Sequence, residues 1–456
     1  MTTEPVAGPR GSRVLGMTNA LRRDQLGTLH QVMRQFGDVA RITAGPPGLR
    51  RTFYLVSHPD GVARVLGGGE SEYAKDNPTY REIAWYLGDG LLTSSGERWR
   101  RQRRTAAPLF TRHRIDSYVE VMVAEAERLI ERWSAADGTV RVDLYGAMTE
   151  YALRVVGRTL FGTDVDRAIP VVQSVLPPLS RHIRSRGLNP LRPPRHWPTP
   201  GLRRAQAYQN ALYRVADDVI DSSRGGSGGG TGLVSRLLEA RDPDSGDHLS
   251  TQDVRDQLLI FLLAGFETTA TTLTLALYLL GRNPAWQERI RAEADEVIGA
   301  RNPTAADLRR LEYTTMAVNE ALRLYPPAYG FGRTSLRGDV IGGHRLPPGA
   351  RVLLCPWVTH RHPDFWPDPE RFDPGRFDTR RSTVAGVDRH RYAYFPFGGG
   401  PHVCIGSHFA TTEAITAVAM ILVRHSVQVA PAPLPLRTGL TLQPTGPVLA
   451  ELVAVR

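Results

Sequence analysis

The chain has 456 residues, 41% of them hydrophobic, so it can bury a large core, and length alone would allow roughly three domains. Its net charge of +11 is compatible with a nucleic-acid or anionic membrane partner, but no nucleic-acid-binding motif accompanies it. The two cysteines, Cys355 and Cys404, are too few for a disulfide framework. Neither a signal pattern nor a run of about 20 apolar residues occurs. We therefore expect a cytoplasmic protein without a membrane anchor.

The predicted elements begin with a loose arm over residues 1 to about 15 and two short strands, at 39–42 and 53–56. Helices dominate from about residue 114 to residue 324. A Pro-rich segment (189–201) and a Gly- and Ser-rich segment (222–230) interrupt them. Strand pairs return at 340–341 and 352–354, joined through Pro347-Pro348-Gly349, and we find no internal repeat and no domain boundary.

An arginine-rich helix is predicted after residue 95. Trp99 and Arg103 are four residues apart and share one face of it. The guanidinium fork of arginine suits carboxylate partners, because it can donate two parallel hydrogen bonds. The other arginines of this helix more often than not form a solvated face.

The long apolar stretch from Val254 to Leu280 contains the polar interruption 264–269, with the sequence Ala-Gly-Phe-Glu-Thr-Thr. A threonine inside a helix can bond to the carbonyl one turn earlier and bend the axis, and a glycine weakens the same turn. The alternative is a buried helix in which small residues merely allow close packing.

Glu320 and Arg323 are three residues apart on one helical face, and Pro326 and Pro327 end that helix at once. Taken alone, such a pair is nearly always a solvated ion pair that contributes little to stability. The segment 373–377, with the sequence Asp-Pro-Gly-Arg-Phe, follows about 50 residues later.

The most informative segment is 397–406, with the sequence Phe-Gly-Gly-Gly-Pro-His-Val-Cys-Ile-Gly. Its glycines allow tightly bent backbone and leave no side chain between the loop and a flat ligand. The following residues have apolar side chains at helical spacing, which places Cys404 at a helix N-terminus, where exposed N–H groups lower a thiol pKa. Such a thiolate suits haem iron in oxygen activation. An inert buried cysteine is the alternative.

This segment resembles the haem-binding signature of the cytochrome P-450 monooxygenases, Phe-x-x-Gly-x-(Arg/His)-x-Cys-x-Gly, and matches it at every fixed position. The other motifs follow the family's order, so the resemblance covers about residues 35 to 450. It implies a mainly α fold with small β-sheets, arranged as one triangular helical haem-thiolate domain over residues 16–456.

The resemblance also implies roles for individual residues. Cys404 would ligate the iron of haem b beside Phe397, and the propionates would contact Trp99, Arg103, Arg333 and His402. Glu320, Arg323 and Arg376 would form a buried structural network that holds the cysteine loop, since buried charges must be paired.

Glu267 and Thr268 would serve oxygen activation, Thr268 beside bound O₂ and a water, and Glu267 as a gate for protons. NAD(P)H would supply electrons indirectly, because we expect a separate ferredoxin and ferredoxin reductase instead of a fused flavin domain. The remaining arginines of the Trp99 helix are candidates for docking that acidic donor.

The family's substrate positions are mostly apolar here, which indicates a small or medium hydrophobic molecule. They are Trp85, Leu92, Leu262, Ala264, Phe266, Tyr329, Phe331 and Leu440. We expect hydroxylation of a C–H bond in a secondary metabolite, with terpenoids ahead of polyketides, macrolides and fatty acids.

Two other classes remain open. A haem-thiolate isomerase, dehydratase or peroxide-driven hydroxylase would not need the acid–threonine pair, which this chain retains. A non-enzymatic haem sensor would need no proton relay and usually carries a signalling module.

Overall fold

The computed structural model describes residues 6–134, 138–162, 165–189, 192–225, 232–380 and 389–455. The fold is mostly helical with small β-sheets, which confirms the predicted fold class.

The helices are α1 Thr18–Arg23, α2 Gln25–Phe36, α3 Pro59–Gly67, α4 Pro78–Leu87, α5 Gly96–Ala106, α6 Arg112–Asp116, α7 Val119–Ser134, α8 Leu144–Phe161, α9 Val165–Leu188, α10 Pro200–Gly225, α11 Leu233–Glu239, α12 Thr251–Gly281, α13 Pro284–Val297, α14 Ala305–Leu308, α15 Glu312–Leu324, α16 Pro356–Thr359 and α17 Ser407–Arg424. The strands are β1 Val39–Ala44, β2 Arg51–Val56, β3 Tyr73–Ala74, β4 Thr139–Asp143, β5 Phe331–Ser335, β6 Asp339–Ile341, β7 His344–Leu346, β8 Arg351–Leu354, β9 His425–Val429, β10 Leu436–Thr438, β11 Leu442–Pro444 and β12 Leu449–Ala454.

The chain packs as two compact units. The sheet unit comprises Met1–Tyr80, Leu322–Phe372 and Asp378–Cys404, and the helical unit comprises Arg81–Ala321, Asp373–Phe377 and Ile405–Arg456. The single catalytic domain over residues 16–456 stays a prediction.

The sheet unit is built on a five-stranded sheet with the order β1-β2-β8-β5-β3. Both predicted N-terminal strands are present in it, paired antiparallel from Val39 opposite Val56 onward. The backbone N–H of Arg41 donates to the carbonyl of Ala7 over 2.8 Å, and Val6 is buried in the adjoining core. The described residues 6 and 7 of the predicted loose arm are therefore packed against β1.

The later strands pair differently from the prediction. β6 pairs with β7, and β8 lies between β2 and β5 in the large sheet, so the segment Pro347-Pro348-Gly349 does not join a strand pair. The hairpin of β6 and β7 turns at Gly342 and Gly343, both of which have positive φ angles (55° and 81°). Two-residue hairpin turns favour glycine at such positions.

The core of the helical unit is α12, which packs along α8. Ser250 and Asp253 form a reciprocal capping box that fixes its N-terminus. α12 is long and apolar enough to cross a membrane, although the sequence analysis expected no such run. However, 78% of its apolar window is buried inside the protein, as in the core helix of a soluble protein.

The two predicted interruptions differ in outcome. The Pro-rich segment separates α9 from α10, although residues 190 and 191 lie outside the described part of the chain. In the Gly- and Ser-rich segment, α10 continues through Gly225, so residues 222–225 are helical instead of linker, and residues 226–230 lie outside the described residues.

Candidate active site

The cysteine loop, defined here as residues 397–404, is held in a tight bend by its own backbone. The N–H of Cys404 donates to the carbonyl of Phe397 over 2.9 Å, and the thiol is exposed. α17 begins at Ser407 with Gly406 as its N-cap, so Cys404 lies three residues before the first helical residue. The loop thus presents a thiol close to the positive end of a helix, where a thiolate is favoured.

This bend requires the glycine at Gly400. Its φ angle is +63°, and a Cβ atom at this position would lie 1.9 Å from the carbonyl oxygen of Leu66. No L side chain fits there without displacing the backbone, so the glycine allows the loop to lie directly on the end of α3.

We therefore expect Gly400→Ala to destabilise the protein by about 2 kcal/mol or more, because it combines backbone strain with a clash against backbone. Cofactor content per protein and the thermal unfolding midpoint measure the effect. Gly406→Ala is the matched control, because its Cβ would meet nothing within 4 Å. Equal losses in both variants would contradict this explanation.

Arg323 at the end of α15 is completely buried in the sheet unit. Its guanidinium donates to the backbone carbonyls of His360 (2.8 Å), Pro369 (2.7 Å) and Arg371 (3.2 Å) and lies over the ring of Trp366. A single arginine therefore satisfies three carbonyls of the irregular segment that follows α16.

His360 is a supporting residue that the sequence analysis missed. Its Nδ1 lies 3.2 Å from the carbonyl oxygen of Arg323, and its Nε2 accepts the backbone N–H of Phe395 over 2.9 Å. Burial, reinforced by the charge of Arg323, lowers the pKa of His360 well below its usual value. The neutral ring thus ties the end of α15 to the chain just before the cysteine loop.

In the helical unit, Glu320 is fully buried and lies against the segment 373–377. Its Oε1 accepts the backbone N–H of Asp373 (2.9 Å) and lies 3.4 Å from Nε of Arg376. Glu320 and Arg376, two members of the predicted network, thus lie at ion-pair distance, and the backbone N–H of Asp373 donates to the same carboxylate oxygen.

α12 carries an accessible strip in its middle. Every residue from Asp256 to Leu280 is buried except Ala264, which is exposed, and Gly265 and Thr268, which are half-buried. Ala264 and Thr268 are four residues apart and share one helical face. Thr268 Oγ1 donates to the carbonyl of Ala264 over 2.7 Å, so its hydroxyl oxygen remains able to accept a hydrogen bond from a molecule on this strip.

Glu267 lies beside this strip and is buried. Its burial raises the carboxyl pKa to about 7, while a hydrogen bond from Thr441 and the charge of Arg437 act in the opposite direction. A carboxyl with this pKa exchanges a proton near neutral pH, as a general acid or base requires.

The comparisons with known proteins decide the family. The cytochrome P450 family model matches residues 6–449. The chain belongs to the cytochrome P450 family. Cyclooctatin synthase of Streptomyces melanosporofaciens is 38% identical over 84% of this chain and 82% of its own length. Cyclooctat-9-en-7-ol 5-monooxygenase of the same organism is 35% identical over 93% of this chain and 89% of its own length.

The crystal structure of the cytochrome P450DA heme domain superposes with a TM-score of 0.89 at 28% identity, covering 100% of this chain and 99% of that one. This P450 is therefore an oxidoreductase of the monooxygenase type, and haem and O₂ are the cofactor and co-substrate that its family implies.

The residues of this P450 fit a haem. The exposed thiol of Cys404 would supply the soft anionic ligand that haem iron takes, and the glycines before it leave no side chain over the loop. Cationic donors suited to propionate carboxylates are present in both units. Trp99 (buried) and Arg103 (half-buried) lie on α5 of the helical unit, whereas Arg333 and His402 belong to the sheet unit.

Two of the predicted propionate contacts have partners within the protein. Arg333 is buried, and its guanidinium donates to the carbonyl of Gly332 over 2.9 Å. His402 Nε2 lies 3.2 Å from Oε1 of Glu70, a residue that sequence reasoning missed because nothing in the motif points to it. Glu70 therefore places a carboxylate beside the imidazole.

The surplus arginines of α5 are neutralised by acidic residues of the helical unit. Arg98 pairs with Asp253 (2.9 Å), Arg104 with Asp242 (2.9 Å), and Arg100 with Glu97 (3.2 Å). These ion pairs reduce the positive field that the docking hypothesis requires, so the arginines of α5 are weaker candidates for an acidic partner than their number in the sequence suggests.

The predicted substrate residues divide into exposed, half-buried and buried side chains. Ala264 is exposed on the strip of α12, and Leu92, Tyr329, Phe331 and Leu440 are half-buried. The Phe331 ring lies at the cysteine loop, because a Cβ on Gly398 would be 3.6 Å from it. Trp85 is 50% exposed under the guanidinium of Arg195.

Leu262 and Phe266 lie away from the accessible strip of α12, and their place in the pocket stays a prediction. Each is two residues from Ala264, which places it about 200° around the helix axis from the accessible strip. They are 1% and 4% exposed, so both side chains pack in the core of the helical unit.

Proposed function

We propose that this P450 hydroxylates a C–H bond of a terpenoid, with electrons from a separate ferredoxin and ferredoxin reductase that oxidises NAD(P)H in the cytoplasm. The observation that carries the proposal is the accessible strip of Ala264 and Thr268 beside the buried carboxyl of Glu267. The named relatives, which act on terpenoids, support the substrate class.

Each residue has a definite task in this proposal. The haem, once bound, supplies the iron that activates O₂. Cys404 ligates it, and the three glycines keep the loop bent. Thr268 accepts a hydrogen bond at the strip of α12, and Glu267 takes protons from its surroundings and releases them next to Thr268. The apolar surroundings orient a hydrophobic substrate and exclude water.

The test is turnover of the holoenzyme with a ferredoxin, its reductase and NAD(P)H on panels of terpenoids, macrolides and fatty acids. A terpenoid product heavier by one oxygen atom from labelled O₂ supports the proposal. Oxygenation of only macrolides or fatty acids would overturn the substrate class. A rearranged product without added oxygen would identify an isomerase, and haem binding without turnover of any panel would favour a sensor.

Thr268→Val should reduce product formed per NAD(P)H consumed by at least ~10-fold, because it removes the only hydroxyl on the strip within the described part of α12 and with it the proton relay. NAD(P)H consumption itself should continue. Thr269→Val is the control, because Thr269 is buried and bonds only within its own helix, to the carbonyl of Gly265. Equal coupling in both variants would contradict a relay role for Thr268.

A further inference from the structure

The end of α9, the Pro-rich segment and the start of α10 form a stretch of sequence without acidic residues. Residues 170–216 contain eight arginines and no aspartate or glutamate, although 46 of the 456 residues of the chain are acidic. The stretch therefore concentrates a large part of the net charge of +11 in one part of the helical unit.

Side-chain contacts join this stretch to α4. Nε2 of His182 on α9 lies 3.1 Å from the hydroxyl oxygen of Tyr86 on α4. The same imidazole reaches the start of α10, because a Cβ atom on Gly201 would lie 3.9 Å from its Cε1. On α10, Nε2 of Gln209 donates to the carbonyl of Trp85 over 3.0 Å. The helices α4, α9 and α10 therefore lie together where the Pro-rich segment connects α9 to α10.

Glu82 of α4 holds the Pro-rich segment in place. It is fully buried and lies within ion-pair distance of Arg186 (3.1 Å), Arg192 (2.9 Å) and Arg195 (3.1 Å). The guanidinium of Arg195 also lies 4.1 Å from the ring centroid of Trp85. One carboxylate facing three guanidinium groups leaves a local surplus of two positive charges, and the ion pairs fix where these charges lie.

Two large aromatic side chains remain exposed beside this cluster. Trp85 is 50% exposed, and Trp197 of the Pro-rich segment is 54% exposed. Both lie close to Arg195. Its guanidinium covers the ring of Trp85, and Trp197 follows two residues later in a turn, where its backbone N–H donates to the carbonyl of Pro194 over 3.1 Å. Exposed apolar side chains flanked by charged residues are typical of an interaction surface.

Exposed arginines on α9 and α10 accompany these tryptophans. Arg181, Arg203 and Arg204 are exposed, and none of them forms an ion pair with a carboxylate of the described residues. Arg203 and Arg204 lie close to the N-terminus of α10, which has no acidic residue in its first turn. The helix dipole disfavours positive charge at that end, so helix stability does not explain these two arginines. We call Trp85, Trp197 and these three arginines the arginine–tryptophan surface.

We propose that the arginine–tryptophan surface binds the anionic headgroups of a membrane, as a reversible peripheral contact. A guanidinium can donate two parallel hydrogen bonds to a phosphate, and the indole ring of tryptophan prefers the headgroup level of a bilayer. The exposed Pro194, Pro198 and Pro200 add apolar surface but no N–H donors, which suits lipid better than the base edges of a nucleic acid. The inference does not depend on the proposed function, because neither haem nor substrate takes part in the contact.

The experiment is sedimentation of the full-length holoenzyme with vesicles of phosphatidylcholine alone, or of phosphatidylcholine and phosphatidylglycerol in equal parts. Binding is expected only with phosphatidylglycerol and should weaken as salt is raised, because salt screens exposed charges. Arg181→Gln, Arg203→Gln and Arg204→Gln combined should weaken binding by at least ~10-fold, since each arginine near an anionic surface adds to the binding free energy. Lipids brominated in their acyl chains should quench the fluorescence of the wild-type protein, and Trp197→Ser should remove part of that quenching.

The combined variant Arg128→Gln, Arg289→Gln and Arg310→Gln is the matched control, because it removes three exposed arginines of the helical unit that lie outside α4, α9 and α10. The net charge falls equally in both combined variants, so equal losses of vesicle binding would overturn the inference.

Two further outcomes would also overturn it. One is wild-type binding that is equal for both kinds of vesicle. The other is no vesicle binding at low salt, including the case in which the surface binds single-stranded DNA or an acidic ferredoxin instead. Haem content, melting temperature and turnover in the absence of vesicles should be unchanged in both combined variants. Loss of vesicle binding therefore leaves the proposed function intact, and failure of turnover in wild type would leave the vesicle result standing.

Discussion

Cys404→Ala is expected to abolish the strongly red-shifted Soret band of the reduced carbon monoxide complex. Only haem that carries a thiolate ligand gives that band, and the exposed Cys404 at the end of the glycine loop would supply this thiolate. Product formation should fall to the background of free haem. The measurement is a carbon monoxide difference spectrum of the dithionite-reduced protein, recorded beside wild type at equal haem concentration.

Cys355→Ala is the matched control for this change. Cys355 is buried, its Sγ donates to the carbonyl of Tyr329 over 3.1 Å, and burial raises its pKa to about 12, so it remains a neutral thiol. This variant should keep the red-shifted band and lose only about 1–2 kcal/mol of stability. A red-shifted band that survives in Cys404→Ala would show that Cys404 is not the ligand of the haem iron.

The cysteine loop could be anticipated from sequence because its determinants are local. Three adjacent glycines, a cysteine and a helical apolar pattern all lie within 30 residues. The structure adds that the helix begins at Ser407, and it identifies Gly400 as the glycine pressed against the backbone of Leu66. Which glycine is indispensable depends on a contact with α3, more than 300 residues earlier in the chain, and no local pattern specifies it.

The supporting contacts could not be predicted for the same reason. The ring of His360 joins the end of α15 to Phe395, although these residues are far apart in sequence. Such contacts arise from tertiary packing, which also overrides local preference in α9, where Pro170, Pro177 and Pro178 lie inside a helix.

The phase of α12 bears on two of the predicted substrate residues. The helical phase alone places Leu262 and Phe266 on the far side of α12 from Ala264 and Thr268, since each residue advances about 100° around the axis. The paired glycines at 342 and 343 likewise predict a hairpin turn between β6 and β7.

Arg323→Leu is expected to destabilise the protein by about 3–5 kcal/mol, the cost typical of removing one partner from a buried charged network. Three backbone carbonyls, those of His360, Pro369 and Arg371, lose their donor at once in a region closed to water. Because the same segment is tied to the chain before the cysteine loop through His360, haem retention should fall together with stability. Chemical unfolding and the ratio of haem to protein absorbance after gel filtration measure the two effects.

Arg309→Leu provides the comparison, because Arg309 is an exposed arginine that pairs with Asp116 over 3.1 Å and should cost about 1 kcal/mol or less. Arg323→Lys sharpens the test. Lysine keeps the charge but lacks the planar fork that reaches several carbonyls together, so it should recover less than half of the lost stability. Full recovery by lysine would mean that this site requires the positive charge and not the geometry of the donors. Equal losses of stability in Arg309→Leu and Arg323→Leu would mean that the burial of Arg323 does not contribute to stability.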